Sequence, residues 1–465
     1  MSDTATLVSD LIAAVGTQAV LTDDDVTDSY RRDMMPLAES GRPLAVVLPS
    51  SVPQVQAVVR ACAAAGVPIV PRGAGSGLSG AANAIEGCVV LVMTKFTEIE
   101  EIDADNRLAV VQPGVVNLEF RDAVEKHGLF YPPDPSSYDW CTIGGNLSTN
   151  AGGLCCVKYG VTTDSVLGLE VVLADGELLR TGRRTVKGVA GYDLTKLFIG
   201  SEGTLGVITK ATLALRPLPQ APATLVAGFA DVADAGSAVA KVVREGLVPS
   251  LMEIMDASSI KASEAYLKTD IGAGSDCRAL LLCQSDSGAA VAKRELEAIE
   301  RICTDAGAAM TYVTEDVSEG NMLLHARRVV LLALELYGTW LTDDVCVPRT
   351  RIAELIAGCE RIGEQVGLRI AVVGHAGDGN MHPTIVYDPG SAEQARQAQA
   401  AFDAVLDLGL SLGGTVTGEH GVGKIKRDWL AREIGPVGMR VHREIKRALD
   451  PHNVFNPDSM FSLSP

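Results

Sequence analysis

Pro71-Arg-Gly-Ala-Gly-Ser-Gly-Leu-Ser-Gly80 is the densest glycine cluster in a chain of 465 residues that contains 47 glycines. It includes Gly75-x-Gly77-x-x-Gly80, the spacing of a dinucleotide fingerprint. Such a fingerprint must open a helix whose N-terminus faces the pyrophosphate. Here only Ala81 to Gly87 separate the cluster from the next apolar run, Cys88–Met93. That is too short for the crossover helix of a parallel unit. A glycine-rich loop without a helix can still bind pyrophosphate, because positive φ lets successive N–H groups converge on an anion. Arg72 and the hydroxyls of Ser76 and Ser79 would supplement those amides.

Further glycine clusters follow at Thr142-Ile-Gly-Gly-Asn146, Asn150-Ala-Gly-Gly153 and Gly200-Ser-Glu-Gly-Thr-Leu-Gly206. Together they suit a long ligand passing many backbone amides, and a dinucleotide is the natural candidate. Around them the pattern predicts a helix at 3–15, a strand at 44–49, and a helix capped by Ser51 with Gln54 as its capping-box partner. Pro53 stands in that helix's first turn and Gly66 ends it. A strand at 67–70 and a helix at 117–127 stopped by Gly128 are also expected. Asp175-Gly176 signals a hairpin between 170–174 and 177–181.

Pro217, Pro219 and Pro222 form the best linker candidate. Beyond it, strands at 223–230, 278–284, 309–314, 341–347 and 369–375 alternate with helices at 232–245, 289–306, 320–337 and 350–366. That rhythm predicts an α+β domain with an antiparallel sheet. A basic helix is expected near 438–449. The domains read as 1–219, 220–420 and a C-terminal segment, 421–465, that returns to the first.

Forty Lys and Arg against fifty-eight Asp and Glu give a net charge of −18. A surface of that sign repels phosphate backbones, which argues against nucleic-acid binding. The ten cysteines include no CxxC pair, which suits reduced thiols in a cytoplasmic protein and encodes no iron–sulfur centre. The N-terminus lacks a basic region of the signal-peptide kind, and no apolar run has the ~18–20 residues of a membrane span. The expected location is cytoplasmic, with peripheral contact at the inner face of the membrane left open.

Gly374-His-Ala-Gly-Asp-Gly-Asn-Met-His382 carries two of the seven histidines. If Asp378-Gly379 is a two-residue turn, His375 faces His382 across a hairpin and both imidazoles share one face. Two such imidazoles can bind one divalent ion, and Glu419 of Gly418-Glu-His-Gly-Val-Gly423 would be a third, anionic ligand. Three protein ligands leave an open position, as a catalytic metal requires. Zn is the first expectation, with Mn or Fe as alternatives. His420, beside Glu419, keeps its own imidazole for proton transfer.

Arg72-Gly-Ala-Gly-Ser76, Pro132-Pro-Asp-Pro-Ser136, Thr142-Ile-Gly-Gly-Asn146, Lys158-Tyr-Gly160 and Gly200-Ser-Glu-Gly-Thr-Leu-Gly206 together resemble the vanillyl-alcohol oxidase/p-cresol methylhydroxylase family of FAD-linked oxidases. The resemblance spans nearly the whole chain and is strongest to the branch of glycolate oxidase FAD subunits and D-lactate or D-2-hydroxyglutarate dehydrogenases. It implies an α+β fold: a two-subdomain FAD-binding domain of the p-cresol methylhydroxylase type plus an antiparallel-sheet substrate, or cap, domain. Relatives that attach flavin through a histidine in the first loop carry it where Ser76 stands, which implies non-covalent FAD. The FAD site would then comprise Arg72, Gly73, Ala74, Gly75, Ser76, Gly77, Ser79, Pro135, Ser136, Thr142, Gly145, Asn146, Gly152, Gly203 and Ile208.

The same resemblance implies that His375, His382 and Glu419 hold the metal and that His420 is the proton acceptor. Arg327 in Leu324-His-Ala-Arg-Arg-Val329 would clamp the substrate carboxylate through two parallel bonds, with Asn380 as a second contact. Hydroxyglutarate-type relatives carry a lysine where Thr342 stands, which favours a monocarboxylate such as D-lactate or glycolate over D-2-hydroxyglutarate. Quinone, cytochrome, electron-transferring flavoprotein and dioxygen are the acceptors to consider. A homodimer or an iron–sulfur partner subunit is a further expectation. The rival readings are a metal hydrolase, an NAD-dependent dehydrogenase resting on Gly75 alone, and a non-catalytic flavin-binding subunit of a larger oxidase.

Overall fold

The computed structural model describes residues 4–271, 274 and 276–463. The chain divides into two compact units. The first comprises the described residues of Met1–Gly152, Gly160–Leu218 and Glu419–Pro465, and the second those of Gly153–Tyr159 and Pro219–Gly418.

The first unit holds two principal sheets. One is four-stranded, in the order Val20–Leu21, Ala45–Val47, Val89–Val92, Ile69–Arg72. Its last three strands are parallel neighbours. The helix Val52–Ala65 supplies a crossover between two of them. It presents Val55, Val58, Val59 and Cys62 to the core, the i, i+3, i+4, i+7 stripe of a helix buried on one face. Pro53 lies in its first turn and Gly66 closes it at φ 67°.

The expected capping box is not formed. Ser51 is the N-cap but its side chain makes no capping bond. The Gln54 Oε1 atom instead accepts from the Ser50 amide at 2.8 Å and the Ser50 hydroxyl at 3.1 Å. A second departure concerns the strands flanking the first glycine cluster. They pair in parallel although no helix joins them, so residues 73–88 themselves make the crossover.

The second sheet of this unit is five-stranded and antiparallel, in the order Ile99–Asp103, Leu108–Val111, Val207–Ala214, Val166–Val172, Leu178–Gly182. The expected hairpin turns at Gly176, with φ 78°. Val111, Phe120, Tyr131, Leu147, Val171 and Phe198 form the core behind it. The C-terminal residues join this unit by specific bonds. The Ile69 amide donates to Val454 O at 2.7 Å, the Asn456 amide to Ile69 O at 2.8 Å, and buried Lys446 Nζ to Thr204 O and Phe455 O, both at 2.7 Å. The basic C-terminal helix is longer than expected, Arg427–Leu449, and is kinked at Gly435, just before Pro436.

The second unit is built on one eight-stranded antiparallel sheet. The order is Met310–Thr314, Ala223–Phe229, Ala279–Ser285, Leu251–Asp256, Arg369–His375, Asn380–Tyr387, Thr339–Thr342, with Val345–Cys346 also pairing Asn380–Tyr387. The strand Leu251–Asp256 and the helices Ala257–Leu267 and Ala392–Ser411 were not foreseen from the sequence pattern. The expected strand at 341–347 is split around Asp343 and Asp344, both wholly buried. Their carboxylates form bonds that an unbroken ladder would not provide: the Asp344 amide donates to Asp343 Oδ1 at 2.7 Å. The expected helix at 320–337 is three segments, Val317–Arg328, Val330–Leu334 and the short turn Glu335–Tyr337. Among the described residues, no helix is long and apolar enough to cross a membrane.

Candidate functional site

In the first unit three of the glycine clusters come together. A Cβ at Gly73 would lie 2.5 Å from Thr142 Oγ1 and 3.6 Å from the Gly145 amide, so the first two loops meet only because Gly73 has no side chain. Gly203, at φ 69°, lies 3.2 Å from the Pro71 ring by the same measure. Thr142 caps the helix Ile143–Thr149 by accepting from the Gly145 amide at 3.3 Å.

The backbone amides of Gly73, Ala74, Gly75, Ser76, Gly77, Leu78 and Ser79 donate to no acceptor among the described residues. Buried N–H groups are normally paired, and these belong to residues that are half-buried or, for Ser79, buried. A string of open donors on a loop with Gly75 at φ 86° fits an anionic ligand such as a pyrophosphate.

The side chains named with those amides are placed differently from one another. Arg72 is buried, and burial lowers its pKa. Its guanidinium donates to Arg32 O at 2.8 Å and Ala82 O at 3.2 Å, which fixes the loop from below. Asn146 is buried, and its side-chain amide is engaged with Asn117 at 3.0 Å and Cys141 at 3.3 Å. Ile208 is buried in the strand Val207–Ala214, opposite Val171. Pro135 is half-buried and Ser136 exposed. Asp33, unnamed by the sequence reading, faces Gly77, and burial pushes its carboxyl up to about 6.

Glu419 and His420 begin the C-terminal stretch of this unit. Their side chains approach to 3.8 Å, Nε2 to Oε1. Glu419 lies so close to Gly152 that a Cβ there would overlap its carboxylate. The stretch is held from behind by Glu202, which is buried. One carboxylate oxygen accepts from the Val422 amide and the other from the Gly423 amide, each at 2.7 Å. Burial raises the Glu202 pKa to about 7 against the pull of those two amides.

In the second unit the hairpin Arg369–His375/Asn380–Tyr387 carries both candidate imidazole ligands. The expected register is corrected. His375 faces Asn380, and His382 faces Val373, because the connection is the four-residue turn 376–379 and not a two-residue one. The offset between the two histidines is two residues, the side-chain period of a strand, so both still project from one face. Their ring centroids are 5.1 Å apart, with planes at 81°. The turn is held by the Val347 amide donating to Gly379 O at 3.0 Å and by Arg349 Nε donating to Gly377 O at 2.6 Å.

Two acidic groups and an amide surround the pair. His375 Nδ1 lies 2.6 Å from Glu253 Oε1, and Arg327 Nε lies 2.8 Å from Glu253 Oε2. Burial pushes the Glu253 carboxyl up, but the charges of His375 and Arg327 outweigh it and hold the pKa below the usual range. Asp344 Oδ1 is 3.9 Å from His382 Nδ1, and Asp344 Oδ2 accepts from the Thr417 hydroxyl at 2.6 Å and the Gly418 amide at 3.0 Å. The Asn380 Oδ1 atom is buried without a hydrogen-bond partner among the described residues. Arg328 is exposed, whereas Arg327 is half-buried. Thr342 is buried and bonded to Thr384 at 3.1 Å, and adds no cation.

Glu253 and Asp344 were missed by the sequence reading. Asp344 had a signal, a double Asp inside an expected strand, whereas Glu253 had none.

The comparisons with known proteins bear on these arrangements. The FAD binding domain family matches residues 43–182, and the FAD linked oxidases, C-terminal domain family matches residues 218–460. The chain is 40% identical over 434 residues to the glycolate oxidase subunit GlcD of Bacillus subtilis (strain 168), covering 93% of this chain and 92% of that one. It is 33% identical over 450 residues to a D-lactate dehydrogenase of Anaerostipes hadrus, covering 95% and 94%. A crystal structure of p-cresol methylhydroxylase with substrate bound has the same fold, with a TM-score of 0.83 at 21% identity, covering 100% of this chain and 98% of that one.

Proposed function

Because the chain belongs to the family of FAD-linked oxidases, we propose that it oxidises a small 2-hydroxy acid, D-lactate or glycolate, to the 2-oxo acid, using non-covalent FAD and a divalent ion. When bound, the flavin supplies a two-electron, hydride-accepting ring and the ion a Lewis acid for the hydroxyl of the substrate. The observation that carries the reading is the pair of imidazoles on one hairpin face, with a buried Glu–Arg ion pair against one of them.

His375 and His382 are the first ligands in this reading, with Glu419 the third. The Gly418 amide donates to Asp344 Oδ2, and Glu419 is the next residue in the chain. Within the second unit, Asp344 Oδ1 lies 3.9 Å from His382 Nδ1, which makes Asp344 a further candidate ligand. His420 takes the hydroxyl proton. Arg327 spends Nε on Glu253 and keeps its two terminal nitrogens for the substrate carboxylate, which suits a bidentate grip. Asn380 Oδ1 waits for a hydrogen-bond donor. Neutral Thr342 leaves a second carboxylate uncompensated, which favours a monocarboxylate. The open amides of Gly73–Ser79 receive the pyrophosphate of FAD, with Zn first among the metals and Mn or Fe as alternatives.

Those curated relatives that are named as subunits suggest a partner that reoxidises the flavin, whether an iron–sulfur subunit passing electrons to quinone or a soluble acceptor. Anaerobic mixing with D- and L-lactate, glycolate and D-2-hydroxyglutarate tests the proposal. D-lactate or glycolate should bleach the visible flavin absorbance, and His420→Ala should slow bleaching by roughly 10²-fold or more. Bleaching by none of them, or unchanged bleaching in the variant, would remove the reading in favour of a non-catalytic flavin subunit.

A further inference from the structure

Glu253 lies on a central strand, directly opposite His375 in the ladder between Leu251–Asp256 and Arg369–His375. Its side chain is fully buried. Both of its oxygens are used, one on His375 Nδ1 and the other on Arg327 Nε. Those two neighbours come from different elements, the strand Arg369–His375 and the helix Val317–Arg328.

We propose that Glu253 is a positioning residue that ties the metal-ligating imidazole of His375 to the substrate-binding guanidinium of Arg327, so that one carboxylate sets both in register. The inference rests on the functional reading above and adds to it the group that aligns two of its parts. The chemistry demands a carboxylate at this position. An ionised carboxylate only accepts, so the His375 Nδ1 atom must carry the proton, which leaves Nε2 with the lone pair a metal needs. Arg327 Nε–H is a second donor on the other oxygen. A glutamine has one acceptor oxygen and one donor NH₂, so it can satisfy only one of the two neighbours. Aspartate is one methylene shorter and cannot reach both from the same backbone position.

Outer-shell partners of ligating histidines typically govern metal affinity by 10–100-fold. Zn²⁺ competition with a chromophoric chelator, run on the FAD-loaded protein, is the test. Glu253→Gln and Glu253→Ala are each expected to weaken Zn²⁺ binding by roughly 10–100-fold while FAD content stays at the wild-type level. Glu253→Gln should also raise the KM for D-lactate more than it lowers kcat, since Arg327 loses its alignment. His375→Ala serves as the reference. If His375→Ala weakens Zn²⁺ binding and both Glu253 variants retain wild-type affinity, the positioning role is overturned and the functional reading stands. If His375→Ala also binds Zn²⁺ as the wild type does, the metal assignment itself fails. Glu253→Gln is isosteric, and it decides the outcome should Glu253→Ala not fold.

Discussion

The candidate sites of the two units are built by different means. The first presents backbone: the open amides of Gly73–Ser79 on a loop shaped by Gly75 at φ 86° and pinned by Arg72. The second presents side chains: His375, His382 and Glu253 on strands, Arg327 on a helix, and Asp344 in the break between two strands. A backbone site depends on the absence of atoms, since any Cβ in the wrong place closes it. A side-chain site depends on the presence of particular atoms, and its scaffold survives their removal.

Substitution at each site should expose that difference. Gly75→Val places a branched side chain at positive φ and against Arg72. It should abolish FAD retention, with at least a 100-fold loss of affinity expected from a strain on the order of 3 kcal/mol. His382→Ala, in contrast, should leave the purified protein yellow and its Tm within a few degrees of the wild type. Flavin content per chain and thermal melts measure both. A Gly75→Val protein that keeps a full complement of FAD would break the distinction.

Glu202 sharpens it on the side of the first unit, where a side chain holds backbone amides. Its pKa is about 7 in the folded chain, above the usual value of 4.5. The folded state therefore binds that proton more tightly than the unfolded state. The contribution is fully present below about pH 4.5 and is lost as pH rises through about 7; it is on the order of 3 kcal/mol at most. The Tm of the wild type relative to Glu202→Gln should fall across pH 4.5 to 8, and a constant difference would exclude the assignment. The smallest effect is expected at Ser51. Because its hydroxyl makes no capping bond, Ser51→Ala should cost under about 0.5 kcal/mol in denaturant melts, below the ~1 kcal/mol of a bonded cap. A loss of 1 kcal/mol or more would mean that the cap forms in solution.

The glycine clusters were legible because glycine at such density has few structural explanations, and the absence of a helix after Gly80 was correctly read from the chain length available. What that reading did not reach was the parallel pairing of Ile69–Arg72 with Val89–Val92, since strand direction is set by partners distant in sequence. The hairpin was legible in its histidines but not in its register. Asp378-Gly379 has the composition of a two-residue turn, yet Gly379 packs against Val347 and a longer turn wins. The error was even, so the face was right although the pairing was not. Glu253 stayed hidden because it interrupts the apolar run Leu251–Asp256 with a charge. Only the two donors brought to it by the fold make that buried carboxylate tolerable.

The crossover at 73–88 has one more consequence. In most parallel pairs the connection is a helix with hydrogen bonds and packing of its own, whereas here it is the same loop whose amides await a ligand. An occupant of that loop would act as a splint for the four-stranded sheet. Stripping the flavin should then lower the melting temperature of the protein and expose the amides of Ile69–Arg72 and Val89–Val92 to deuterium exchange sooner than those of the antiparallel sheet beside them.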